Sequence, residues 1–108
     1  MKEDKKRMAQ FVKVAKHSEV PSGTGKYVEA GGKEMALFNI EGKIYAIYHV
    51  CPHQGGPLAE GGTDGSVVTC PWHGWSFDVK TGDCTFNPTI KQPTFKVKEE
   101  GEDVFVEI

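Results

Sequence analysis

The sequence predicts an all-β domain: an antiparallel β-sandwich of short strands, with an inserted, loop-bearing subdomain at roughly residues 44–85. Two observations carry that prediction. Runs rich in Val, Ile, Phe and Tyr are short and are cut by Gly, Pro, Asn and Asp, which set turns rather than helices. No stretch repeats its apolar residues at the spacing of an amphipathic helix.

Taken in order, residues 11–14 alternate apolar and polar and read as an opening strand. Residues 18–25 are loop, punctuated by Pro21, Gly23 and Gly25. Residues 26–30 and 35–40 are the arms of a hairpin around Gly31-Gly32, and Glu41-Gly42 turns the chain into a further strand at 44–48. A Gly- and Pro-rich loop follows at 51–58. Residues 67–69 form a short strand leading into Cys70, residues 75–79 run out of a second loop, and residues 81–83 turn the chain again. The end reads as one hairpin, with arms at 94–98 and 104–107.

At 108 residues the chain has room for one domain, expected over 11–108, burying roughly two-thirds of its unfolded surface. Residues 1–10 read as a flexible extension. Residues 1–7 are highly charged and lead into no apolar segment, so they do not read as a secretory signal. A formal net charge of −2 leaves no basic footprint for nucleic acid. No apolar run is long enough to span a bilayer. Three cysteines give no disulfide framework, and a reducing cytoplasm fits that usage.

The chemistry is concentrated in two pairs, Cys51-Pro-His53 and Cys70-Pro-Trp-His73, each in its own Gly- and Pro-rich loop. Two thiolates and two imidazoles make a four-ligand metal site, open to zinc or to an iron–sulfur cluster. Zinc fingers usually pair Cys with Cys and His with His. Here each loop brings one Cys and one His in the same order. Two such loops can face each other across two irons, the cysteines on one and the histidines on the other.

The words Cys51-Pro-His-Gln-Gly-Gly-Pro-Leu58 and Cys70-Pro-Trp-His-Gly-Trp-Ser-Phe-Asp78, with Thr81-Gly82, resemble the signature of Rieske [2Fe–2S] proteins. The second stretch is most similar to the soluble ferredoxins that serve ring-hydroxylating oxygenases. The likeness implies a Rieske-type β-sandwich whose inserted subdomain binds the cluster. It implies Cys51, His53, Cys70 and His73 as ligands of one [2Fe–2S] cluster, with no catalytic residue. It also implies a flavin-dependent NAD(P)H reductase and a terminal oxygenase as transient partners, with neither nucleic acid nor membrane involved.

Two neutral imidazoles in place of two thiolates leave the oxidised site neutral rather than doubly negative. Reduction is then easier, and such centres span about −150 to +300 mV. In the high-potential members of the family, extra cysteines forming a disulfide stand at the positions of Gly56 and Trp72. A Ser and a Tyr that bond the cluster sulfurs stand at those of Trp75 and Phe77. Their absence here implies a potential near the low end.

Gly55, Gly56 and Gly74 suit close backbone approach and positive φ in the two loops. Pro52, Pro57 and Pro71 limit the entropy the loops lose on ordering. His17 and His49 read as ordinary structural residues, although His49 is near Cys51 in sequence. Cys84 reads as a small buried apolar residue. Trp72 and Trp75 fit a cluster shield, a docking surface or packing under the loops. Besides a carrier, the sequence admits the small subunit of an NAD(P)H-dependent nitrite reductase, or a zinc-stabilised interaction module.

Overall fold

The computed structural model describes residues 10–52, 55–72 and 74–108, so all but the last residue of the expected N-terminal extension lies outside the described residues. In chain order the strands are β1 (Phe11–Lys16), β2 (Gly25–Ala30), β3 (Lys33–Ile40), β4 (Lys43–Tyr48), β5 (Gly62–Asp64) and β6 (Val67–Thr69). They continue as β7 (Ser76–Asp78), β8 (Asp83–Cys84), β9 (Asn87–Lys91), β10 (Thr94–Phe95), β11 (Val97–Glu100) and β12 (Asp103–Glu107). Two 3-10 turns, His17–Glu19 and Leu58–Glu60, are the only helical elements among the described residues. The all-β expectation holds.

The strands form three antiparallel sheets, ordered β1-β12-β11, β10-β4-β3-β2 and β5-β6-β7-β8-β9. The four-stranded sheet is the middle layer. From β3, Met35 and Leu37 point to one side and join Ile44, Ala46, Val104 and Val106 in the sandwich core. Ala36, Phe38 and Ile40 point to the other side and join Ile47, Val68, Phe77 and Val79 under the inserted subdomain. A strand covered on both faces has no solvent side. That is why the sequence from Met35 to Ile40 is almost continuously apolar instead of alternating.

The hairpin arms, and the turns at Gly31-Gly32 and Glu41-Gly42, fall where the sequence places them. All four turn residues have positive φ, the geometry of a two-residue hairpin turn matched to strand twist. The final hairpin needs correction. Residues 94–98 are not one arm: Thr94 and Phe95 pair with Ile47 and Ala46 of the middle sheet, and Val97 onward pairs with β12. The chain changes sheets at Lys96, and so laces two layers together.

Asn39 is the buried polar exception on β3. Its amide donates to the Val20 carbonyl at 2.7 Å, and its side-chain oxygen accepts from Gly42 N–H at 2.8 Å. It therefore ties the loop before β2 to the turn before β4. Asn39→Ala should lower unfolding free energy by about 2–3 kcal/mol, because a buried acceptor loses its donor. Urea denaturation would show this as a lower midpoint with an unchanged slope.

Candidate metal centre

Each cysteine closes a hairpin in the same way. In the first loop, Leu58 N–H donates to the His49 carbonyl at 3.0 Å and Val50 bridges Pro57; Cys51 N–H then donates to the Gly56 carbonyl at 3.0 Å. In the second, Thr69 pairs with Ser76, and Cys70 N–H donates to the Trp75 carbonyl at 2.7 Å. Both closures span five residues, so Cys51 and Cys70 occupy equivalent last rungs of their hairpins.

The two thiols meet. Cys51 and Cys70 are both buried and outside any disulfide, in one apolar cluster with Leu58, Val68 and Phe77. Burial pushes the Cys70 thiol up; Trp72 N–H, 3.4 Å from Cys70 Sγ, works against that, and the adjacent Cys51 thiol adds to it. Two adjacent thiolates in an apolar setting are unstable without a cation between them, so this donor pair fits a thiophilic metal. His53 and His73 lie outside the described residues.

The glycines divide the work expected of them. Gly55 and Gly74 have positive φ. Gly56 serves close approach: a Cβ there would collide with Cys70 Sγ and lie 3.2 Å from the Trp72 Cβ. The two hairpins thus approach each other at Gly56, Cys70 and Trp72, with no room for a side chain at position 56.

The remaining candidates sort by their contacts. His49 is structural: its Nδ1 accepts the Ala59 N–H at 3.3 Å, and its ring packs edge-on to Tyr27. Burial lowers its pKa, against the pull of Glu34 and Glu60, which keeps the ring an acceptor. His17 Nε2 lies 2.8 Å from the Gly42 carbonyl and 3.6 Å from Glu99. Cys84 is buried in the apolar cluster beside Phe77. Trp75 is half-buried and packs edge-on against Phe86, whereas Trp72 is 50% exposed and Phe86 58%.

Gln92 carries no signal in the sequence, yet it braces the first loop. It is 2% exposed, and its amide donates to the Tyr48 carbonyl at 2.8 Å and to the Val50 carbonyl at 2.6 Å. The Val50 carbonyl and the Cys51 N–H belong to one planar peptide. Gln92 holds the oxygen side of that plane and Gly56 holds the hydrogen side, which fixes the direction in which Cys51 leaves the strand. Gln92 N–H also donates to the Gly82 carbonyl at 2.7 Å, joining this root to the exit of the second hairpin.

Three variants test this geometry. Gly56→Ala should displace Cys70 Sγ and sharply reduce the iron bound per chain, measured by elemental analysis. Gly65→Ala should retain iron, since its Cβ meets open space, despite about 1–2 kcal/mol of left-handed strain. Gln92→Leu keeps the side-chain bulk but strips two carbonyls of their donor, and should cost about 2–3 kcal/mol in urea denaturation. A Gln92→Leu protein as stable as the parent would show the brace to be dispensable.

A family model for the Rieske [2Fe-2S] domain matches residues 10–99, which include both hairpins. The chain is 36% identical over 91 residues to the "Naphthalene 1,2-dioxygenase system, ferredoxin component" of Pseudomonas aeruginosa, covering 83% of this chain and 88% of that protein. It is 37% identical over 89 residues to "Apoptosis-inducing factor 3" of Homo sapiens, covering 82% of this chain but 15% of that longer protein. Among solved structures, a chain of the "Complex of reduced oxygenase and oxidized ferredoxin in carbazole 1,9a- dioxygenase" matches with a TM-score of 0.82 and 31% identity, over 90% of this chain and 92% of that one. Buried paired thiols, an inserted hairpin-bearing subdomain and these likenesses agree: the chain belongs to the Rieske [2Fe–2S] domain family, whose cluster is its cofactor.

Proposed function

We propose that this chain is a one-electron carrier, taking electrons from a flavin-dependent NAD(P)H reductase and passing them to a terminal oxygenase. The observation that carries the reading is the pair of buried thiols on equivalent rungs of two hairpins. Each hairpin has a histidine in its tip sequence. Cys51 and Cys70 would hold one iron of the cluster, and His53 and His73 the other. When bound, the cluster supplies one reversible electron at a potential set by its ligands and surroundings.

The protein's own residues do the rest. Trp72 N–H, directed at Cys70 Sγ, favours the electron-rich sulfur and so raises the potential. Trp75 and Phe77 bring no hydroxyl to that region, which supports a value low in the Rieske range. The apolar cluster around Cys51 and Cys70 keeps water from the sulfur side. Trp72 and Phe86 are exposed apolar rings suited to brief docking. Contacts of a carrier with its partners bury little area, below about 1,200 Å². The oxygenase as acceptor is supported by the ferredoxin relative of a dioxygenase system and by the neighbouring ferredoxin–oxygenase complex.

One Rieske domain over 11–108, with the cluster-binding subdomain at about 44–85, is part of this proposal. A cytoplasmic location is part of it too; no helix among the described residues is long and apolar enough to cross a membrane.

The test is low-temperature EPR of the dithionite-reduced protein, followed by NADH-driven turnover with the reductase and oxygenase of a naphthalene dioxygenase system. A Rieske-type signal and ferredoxin-dependent product formation are expected. Cys70→Ser and His73→Cys should abolish or grossly alter the signal and reduce turnover to background. A parental spectrum in either variant would refute the ligand assignment. Tight co-purification with a sirohaem subunit would point instead to a nitrite reductase.

A further inference from the structure

A groove of about 910 Å³ runs along β4 and the β10–β11 strip, and reaches Val79 and Lys80 at the foot of the inserted subdomain. Among the described residues, none of either cysteine hairpin lines it. Its floor is partly aromatic, with Phe11, Tyr45 and Phe95, and five lysines stand around it: Lys33, Lys43, Lys80, Lys96 and Lys98. The only acidic side chain among its lining residues is Glu107. Such a concentration of cations is notable in a chain of formal net charge −2.

The ammonium groups are arranged over the rings. Lys43 and Lys80 come from opposite sides of the layer junction, yet both stand over Tyr45, at 5.6 and 5.9 Å from its centroid. Lys33 stands over Phe95 at 5.9 Å, and Lys98 over Phe11 at 5.3 Å. Lys98 also pairs with Glu100 at 3.3 Å, whereas the other four are in no ion pair among the described residues.

Lysines often guard sheet edges against unwanted strand pairing. That accounts for Lys96 and Lys98 beside the edge strands β10 and β11. It does not account for Lys43 and Lys80, which sit on the β3–β4 hairpin and on the turn after β7 and converge on one ring.

We infer that this groove docks an acidic segment bearing aromatic or aliphatic side chains, presented by a protein redox partner. Carboxylates of the segment would meet Lys33, Lys43, Lys80 and Lys96, and its apolar side chains would lie on Tyr45 and Phe95. Opposite charge speeds encounter and selects the partner, while ring contacts hold it in place. The inference rests on the carrier reading above. It adds a second recognition surface, separate from the hairpins, through which a partner could grip the domain without covering the cluster tip.

The test uses the cluster-loaded protein and a fluorescein-labelled synthetic peptide of alternating Glu and Phe, followed by fluorescence anisotropy at low salt. Saturable binding is expected. It should weaken at least about tenfold in the triple variant Lys43→Gln, Lys80→Gln, Lys96→Gln, and similarly in about 0.5 M salt. A control triple variant outside the groove, Lys13→Gln, Lys16→Gln, Lys91→Gln, should bind as the parent does. Equal weakening in both triple variants, or unchanged affinity in the groove variant, would overturn the inference. So would failure of the peptide to bind, or groove-dependent binding of phosphatidylglycerol vesicles in its place. EPR of the same samples separates the two readings: a parental Rieske signal without peptide binding removes only the groove, and no Rieske signal removes the carrier.

Discussion

The site depends on how two sulfur atoms can be buried side by side. As thiolates they repel each other, and an apolar surround strips away the water that would screen them. A metal centre resolves this by placing positive charge between them, and the fold is organised to deliver the two sulfurs to that point. Cys51 and Cys70 come from separate hairpins, each closed by the cysteine's own N–H on a carbonyl five residues on. The requirement then extends outward. Gly56 must lack a side chain for the two hairpins to approach at Cys70, and Gln92 must donate twice for the root of the first hairpin to keep its direction.

The three-layer arrangement supplies the stiffness behind that delivery. The middle sheet is buried on both faces, one packed in the sandwich core and the other under the inserted subdomain. The subdomain therefore rests on a sheet that is itself fixed from behind. The sheet change at Lys96 and the bonds of Gln92 to Tyr48, Val50 and Gly82 join the layers across long sequence separations. The strand β9 is at the outer edge of the five-stranded sheet, where its proline can be accommodated.

Much of this was legible in the sequence because it is encoded locally. Hairpin turns announce themselves through paired residues at positive φ, as at Gly31-Gly32, and the cysteine loops through ligand types at fixed spacing. What escaped was encoded at a distance or against propensity. Gln92 is an uncharged residue outside any motif, and the partners of its side chain lie more than forty positions earlier. Residues 94–98 look like one strand because nothing local records that Lys96 lies between two sheets. Short strands such as β5, Gly62–Asp64, have no apolar alternation to betray them. The aromatic groove escaped too, since its lysines are scattered between Lys33 and Lys98 and only the fold gathers them.

The matched closure of the two hairpins has a kinetic corollary. A redox centre gripped from two sides by similarly built supports has little freedom to shift as its charge changes. Slight nuclear rearrangement means a low intrinsic barrier, so exchange can remain rapid even when donor and acceptor are nearly isoenergetic.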